Sequence, residues 1–153
     1  KSALDSTFSL LNPQEINIDG VYGEDLSVLI VDDSDTASKH LKRVFENCGV
    51  EQIKLACNGE EAIHLVEENE FDLVVTDLNM PVMNGFEFLE HIRKDKKLND
   101  TVVFILTTSN EDNDRTRAYH NNVAGYMVKH AIGPQFAKLA TLMDAYIHAV
   151  ELE

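Results

Sequence analysis

Phe71-Asp-Leu-Val-Val-Thr-Asp-Leu-Asn-Met-Pro-Val-Met-Asn-Gly85 is the stretch whose reading decides the fold. Leu73–Thr76 is a run of apolar and β-branched residues without alternation, the pattern of a strand covered on both faces. It stops at a carboxylate, Asp77, and a loop with Pro81 and Gly85 follows. A charge at that point sits where the strand leaves the core, and an ionised carboxylate there is either costly or useful. A second run, Val28–Val31, also ends in acid, the pair Asp32-Asp33. Three acids at two strand ends point to a cation and a reaction.

Working outward, further apolar runs occur at Ile53–Ala56, Val102–Leu106 and Tyr126–Val128, each closed by polar or glycine punctuation. All are expected to be strands covered on both faces. Helical patterns lie between them. Ser34 or Asp35 can cap a helix with Ala37, Leu41, Val44, Phe45 and Cys48 on one stripe and Gly49 at its end. A second starts near Gly59 with Ala62, Ile63 and Val66 inward, and a third carries Phe86, Leu89 and Ile92. Residues 110–122 are nearly all polar, a weak helix signal. The last pattern runs from Pro134 through Phe136, Leu139, Leu142, Met143, Tyr146, Ile147 and Val150. Alternation of strand and helix implies a parallel sheet, and ligands in such sheets bind beyond the carboxyl ends of the strands. Asp32, Asp33, Asp77, Thr107 and Lys129 all fall at those ends. Residues 1–26 fit no element; Asn12-Pro13 and Asp19-Gly20 are turn signals, and an arm or linker is expected before a domain at 27–153.

Composition narrows the function. The 153 residues suffice for one domain with a full core. A formal charge of −14 disfavours direct nucleic-acid binding, which needs a basic face. No apolar run is long enough for a membrane span, and no basic-then-apolar leader precedes the fold. Cys48 and Cys57 are expected to be small buried side chains in a reducing cytoplasm. None of the six histidines has metal-ligand spacing, so all are expected at the surface or its boundary. Met80 and Met83 are expected to pack in their loop. The chain starts at Lys1 rather than Met, so a fragment or a processed product is expected.

If the strand-end residues converge, three carboxylates repel one another and raise each other's pKa values. A hard divalent cation removes that conflict, and oxygen ligands suit Mg2+. The backbone carbonyl of Asn79 offers one more oxygen, Lys129 a compact positive charge and Thr107 a hydroxyl. Such a set holds a phosphoryl group, with Asp77 as nucleophile and an acyl phosphate as product.

The same residues carry a family resemblance. Asp32-Asp33 closing the first strand, Asp77 closing the third with Met80-Pro81 and Gly85 after it, Thr107 closing the fourth, and Tyr126-x-x-Lys129 in the fifth resemble a response-regulator receiver domain of two-component signalling, of the stand-alone chemotaxis type. The resemblance runs from about Leu26 to Glu153. It implies a flavodoxin-like (βα)5 doubly wound α/β fold with strand order 2-1-3-4-5. It implies that Asp77 accepts a phosphoryl group from a sensor histidine kinase or a histidine phosphotransfer protein. Asp33 is then a direct Mg2+ ligand, Asp32 a direct or water-mediated one, and Lys129 the phosphate's counterion. Thr107 and Tyr126 act as the switch that alters the surface around the fourth helix, fifth strand and fifth helix. Output passes to a downstream target protein or a fused effector domain, in the cytoplasm. The domain assists its own phosphorylation and dephosphorylation and is otherwise regulatory.

Two departures stand out. The family usually has a proline in a cis peptide after the lysine; here it is His130, and trans is expected because a non-proline cis bond costs about 3–4 kcal/mol. Position 108 is Thr where many relatives carry alanine, which narrows access to Asp77. The alternative function is a Mg2+-dependent aspartyl phosphatase, prompted by Asp33-x-Asp35. That class needs a Thr four residues after its nucleophile, and position 37 is Ala. Flavin or nucleotide binding lacks a glycine-rich loop after the first strand.

Overall fold

The computed structural model describes residues 25–133, 136, 138–143 and 145. Its elements are β1 (Ser27–Val31), α1 (Asp35–Asn47), β2 (Gln52–Ala56), α2 (Gly59–Glu68), β3 (Leu73–Thr76), α3 (Gly85–Lys94), β4 (Val103–Thr107), α4 (Asp112–His120) and β5 (Gly125–Val128). A 3-10 turn, Lys129–Ile132, follows, and residues 138–143 are helical again. Every strand pairing is parallel and the order is β2-β1-β3-β4-β5, as the resemblance implied.

Successive side chains of a strand point to opposite faces, and β1 shows the result. Val28 and Ile30 join Leu41, Phe45, Leu139 and Met143 in one core cluster. Leu29 and Val31 join Val66, Phe88, Leu89 and Ile92 in the other. The sheet is therefore covered by α1 and residues 138–143 on one side and by α2, α3 and α4 on the other. Truncating a fully buried side chain such as Leu89 is expected to cost about 2–5 kcal/mol.

Local chemistry sets the helix ends. Ser34 accepts the amide of Ala37 and caps α1; Asp35 lies in the first turn. Gly49, at φ 94°, ends α1: its amide bonds Glu46 and the Val50 amide bonds Phe45, closing the last turn. Asn58 caps α2. Asn84 and Glu87 form a reciprocal capping box at α3.

The structure corrects four expectations. β2 is not covered on both faces, because it is the sheet edge; only Ala56 is buried, and Lys54 and Leu55 face outward. Cys57 is exposed and Cys48 half-buried, since the turn after β2 and the end of α1 both lie near the surface. Phe136 precedes the last helix at φ 59°, yet it is buried and anchors the segment to the core. Leu142, expected on the inward stripe, is 46% exposed. Other expectations hold. Residues 112–120 are helical despite their polarity. Met80 is buried, Met83 packs against the same cluster, and His40, His64, His91, His120 and His130 are exposed or at the boundary. No cis peptide bond is present among the described residues, so the bond before His130 is trans. Residues 1–24, Pro134, Tyr146, Ile147, His148 and Val150 lie outside the described residues, so the expectations placed on them do too.

Candidate functional site

Parallel register brings the acids together. Val31 is level with Thr76, so the next residues, Asp32 and Asp77, emerge side by side. The ladder continues one step beyond the strands: the Asp77 amide bonds the Val31 carbonyl at 2.9 Å, and the Asp32 amide bonds Ala56 at 3.0 Å. Thr107 is level with Val128, so Lys129 follows at the same end. Asp32 (3% exposed) and Asp77 (6%) are buried, whereas Asp33 faces solvent. One carboxylate oxygen from each of Asp32, Asp33 and Asp77 lies within 4.8 Å of the others.

Lys129 ties the cluster. Its Nζ donates to Asp32 Oδ2 at 2.7 Å and to Asp77 Oδ2 at 3.3 Å. The other oxygens are held by main chain: Asp32 Oδ1 accepts the Ser34 amide at 2.8 Å, and Asp77 Oδ1 accepts Leu78 at 2.7 Å. Ser34 thus serves twice, its side chain capping α1 and its amide holding an acid. Burial pushes the Asp32 carboxyl above the usual carboxylate range, although its bonds to Lys129 and to the Ser34 amide oppose the shift. Burial by itself lowers the Lys129 ammonium, but the Asp32 bond and the charges of Asp77 and Asp32 outweigh it, and the group is raised. Burial therefore makes the Asp32 charge costlier than in water, and cation binding would relieve that cost.

The loop after Asp77 is shaped by close contact. Gly85 donates to the Leu78 carbonyl at 2.9 Å, and a Cβ at Gly85 would fall 2.1 Å from the Asp77 carbonyl oxygen. Thr76 Oγ1 donates to that same oxygen at 2.9 Å. On the α2 side the Gly59 amide donates to Met83. Between these ties Val82, 75% exposed, adopts φ 68°, an uncommon conformation for a β-branched residue.

The donor set is one of hard oxygens from two strand ends, and it fits a divalent cation of the Mg2+ kind. Thr107 is fully buried, and its Oγ1 accepts the Ser109 amide at 3.3 Å. The Tyr126 hydroxyl donates to the Ser109 carbonyl at 3.1 Å, with the ring half-buried. Asn79 and Thr108 are exposed beside the cluster. The amides of Ser34 and Leu78 and the residues Ser109 and Arg115 around Tyr126 were not singled out from the sequence. Backbone amides leave no residue signature, and an arginine in a polar helix reads as surface. A cleft of about 990 Å³, between residues 66–72 and 95–102, lies at the opposite end of the sheet. Among the described residues no helix is long and apolar enough to cross a membrane.

Comparison with known proteins identifies the family. The family model for the response regulator receiver domain matches residues 28–140. Chemotaxis protein CheY-3 of Vibrio cholerae is 31% identical over 112 residues, covering 73% of this chain and 86% of the relative. Transcriptional regulatory protein YvrH of Bacillus subtilis is 37% identical over 106 residues, 69% of this chain but 44% of that longer protein. The structure of chemotaxis response regulator CheY4 of Vibrio cholerae superposes with a TM-score of 0.67 at 29% identity, covering 77% of this chain and 96% of CheY4. This chain belongs to the family of response-regulator receiver domains.

Proposed function

We propose that Asp77 is the phosphoacceptor of a two-component relay, and that the domain reports its phosphorylation through a switch at Thr107 and Tyr126. The observation that carries this reading is the convergence of Asp32, Asp33 and Asp77, tied by Lys129. The donor is a phosphohistidine on a sensor histidine kinase or a histidine phosphotransfer protein. An Asp77 carboxylate oxygen attacks phosphorus, an O–P bond forms, and the N–P bond breaks with the imidazole nitrogen leaving. Phosphoryl transfer asks a protein mainly for positioning and charge neutralisation.

Asp33, Asp77 and Asp32, the last directly or through water, would hold Mg2+ with the Asn79 carbonyl. The ion supplies positive charge against the phosphoryl oxygens. Lys129, already on Asp77, stays with the esterified group as counterion, and the Thr107 hydroxyl donates to it. Tyr126 then turns inward, altering the surface of α4, β5 and the last helix. Such a change is a population shift between two packings, and a coupling of about 1–3 kcal/mol suffices.

We further read residues 27–153 as the domain, residues 1–26 as an arm or linker, and the cytoplasm as its compartment. Its output is a docked target protein or a fused effector domain, since the relatives include both small chemotaxis proteins and a longer transcriptional regulator. The aspartyl phosphatase reading meets an obstacle at Ala37, which packs into the core where that chemistry needs a hydroxyl.

Incubation with phosphoramidate and Mg2+, followed by intact mass measurement, tests the assignment. One added phosphoryl group is expected on wild type and none on Asp77→Asn. Label that survives Asp77→Asn but is lost on Asp33→Asn would instead support the phosphatase.

A further inference from the structure

α4 is an unusual helix to find docked on a domain. Of its nine residues only Ala118 is buried, so apolar packing contributes little to its position. Two arginine–ring stacks hold its flanks instead. The Arg117 guanidinium lies 4.2 Å from the centre of the Phe86 ring on α3 and donates to Glu90 at 2.9 Å. The Arg115 guanidinium lies 4.9 Å from the centre of the Tyr126 ring on β5. Its far side is fixed by Asn110 Oδ1 at 3.3 Å and by Asp112 at 3.8 Å.

Tyr126 is therefore gripped twice by the segment that follows β4. The Ser109 carbonyl takes its hydroxyl, and Arg115 covers its ring. The same Ser109 donates its amide to the Thr107 hydroxyl and its own hydroxyl to Asp114 on α4. Movement of Thr107 toward Asp77 pulls on the backbone that holds Tyr126, and Tyr126 can turn inward only by leaving both Ser109 and Arg115.

We propose that Arg115 is a positioning residue that retains the Tyr126 ring at the α4 surface and so sets how much of the unphosphorylated chain occupies the switched state. This inference rests on Asp77, Thr107 and Tyr126 acting as described above. The bound ring is also chemically marked: burial pushes the Tyr126 phenol above its usual range, the Asp114 carboxylate adds to the shift, and Arg115 opposes it. Loss of the stack raises the population of the inward ring by about two- to fivefold, the worth of one exposed cation–π contact.

Arg117 provides the control, since it makes the same kind of stack from the same helix onto a different ring. NMR of the whole chain, with labelled tyrosine rings and threonine side chains, is compared for wild type, Arg115→Ala, Arg115→Lys and Arg117→Ala, each before and after phosphoramidate with Mg2+. Arg115→Ala is expected to move the Tyr126 and Thr107 resonances of the untreated chain toward their positions in treated wild type. Its labelling rate should rise about two- to fivefold. Arg115→Lys, which keeps the charge without the planar stack, should fall between, and Arg117→Ala should leave both resonances in place. Tyr126 and Thr107 unmoved by Arg115→Ala, or moved equally by Arg117→Ala, in a chain that labels normally, overturns the inference alone. Absence of label on wild type overturns the phosphoacceptor reading and the switch with it.

Discussion

Arg93 organises main chain from two loops, and its removal should be among the costliest single changes outside the apolar core. The guanidinium donates to the carbonyls of Asn121 at 2.6 Å, Thr101 at 2.8 Å, Asn99 at 3.0 Å and Asn122 at 3.2 Å. It thereby joins the end of α3 to the α3–β4 loop and to the turn between α4 and β5. The Asn99 and Asn122 bonds are exposed, and water can replace them at little cost. The Asn121 and Thr101 bonds are half-buried. Each bond to a charged donor contributes about 1.5–3 kcal/mol, and each acceptor left unpaired carries its own penalty. Against this, Arg93 is itself desolvated, and burial lowers its guanidinium pKa from the usual value, so part of the gain is already spent. The balance for Arg93→Ala is a loss of about 2–4 kcal/mol. For a chain of this length that lowers Tm by about 5–12 °C. Urea unfolding followed by circular dichroism measures it, with the slope expected to stay constant so that the midpoint carries the change. Arg93→Lys should recover less than half, because one ammonium cannot fork across four carbonyls. A loss below about 0.5 kcal/mol for Arg93→Ala, the range of an ordinary surface substitution, would refute the reasoning.

Three other predictions concern the loop and the cluster. Gly85→Ala should cost about 1–3 kcal/mol, or more, because the new Cβ meets the Asp77 carbonyl and Leu78 Cα, both of them backbone; urea midpoints and Mg2+ affinity should fall together. Val82→Asn should stabilise by about 1 kcal/mol, since asparagine tolerates the positive φ that valine resists and the side chain is largely in solvent; an unchanged urea midpoint would count against strain at this position. Asp32→Asn should weaken Mg2+ binding and leave one of two donors, the Lys129 ammonium or the Ser34 amide, without its oxygen; calorimetric titration measures the first effect. The sign of the accompanying pH dependence follows from the raised carboxyl of Asp32. A protonated Asp32 favours the fold below its unfolded pKa, and that benefit is lost as pH rises through the folded value. In thermal melts wild type should accordingly gain stability relative to Asp32→Asn as pH is lowered toward the carboxylate range.

The strands and the acids that close them were legible because two independent signals coincide. Apolar runs such as Val28–Val31 and Leu73–Thr76 stop abruptly at charge, and a buried parallel strand has few other reasons to do so. Helix ends were legible where a capping side chain or Gly49 marks them. What could not be read depended on tertiary position. Ile53–Ala56 is apolar enough for a central strand, and only the strand order shows that Leu55 lies on an edge. Phe136 fits the helical period, but backbone at positive φ uses the same side chain as an anchor ahead of the helix. Helical spacing likewise placed Leu142 inward, although the side chain is nearly half exposed. At the site, residue types announced Asp32, Asp33, Asp77 and Lys129. The grip of Ser34 and Leu78 amides on those acids, and of Arg115 on Tyr126, depends on distances that spacing along the chain does not carry.

Calorimetric titration of Mg2+ into the whole chain, wild type beside Asp33→Asn and Asp77→Asn, tests the central claim most directly. One binding event on wild type, lost or severely weakened in each variant, is the predicted result. Uptake that persists unchanged in either variant, or none on a folded wild type, would show that these acids do not share an ion and would contradict the account.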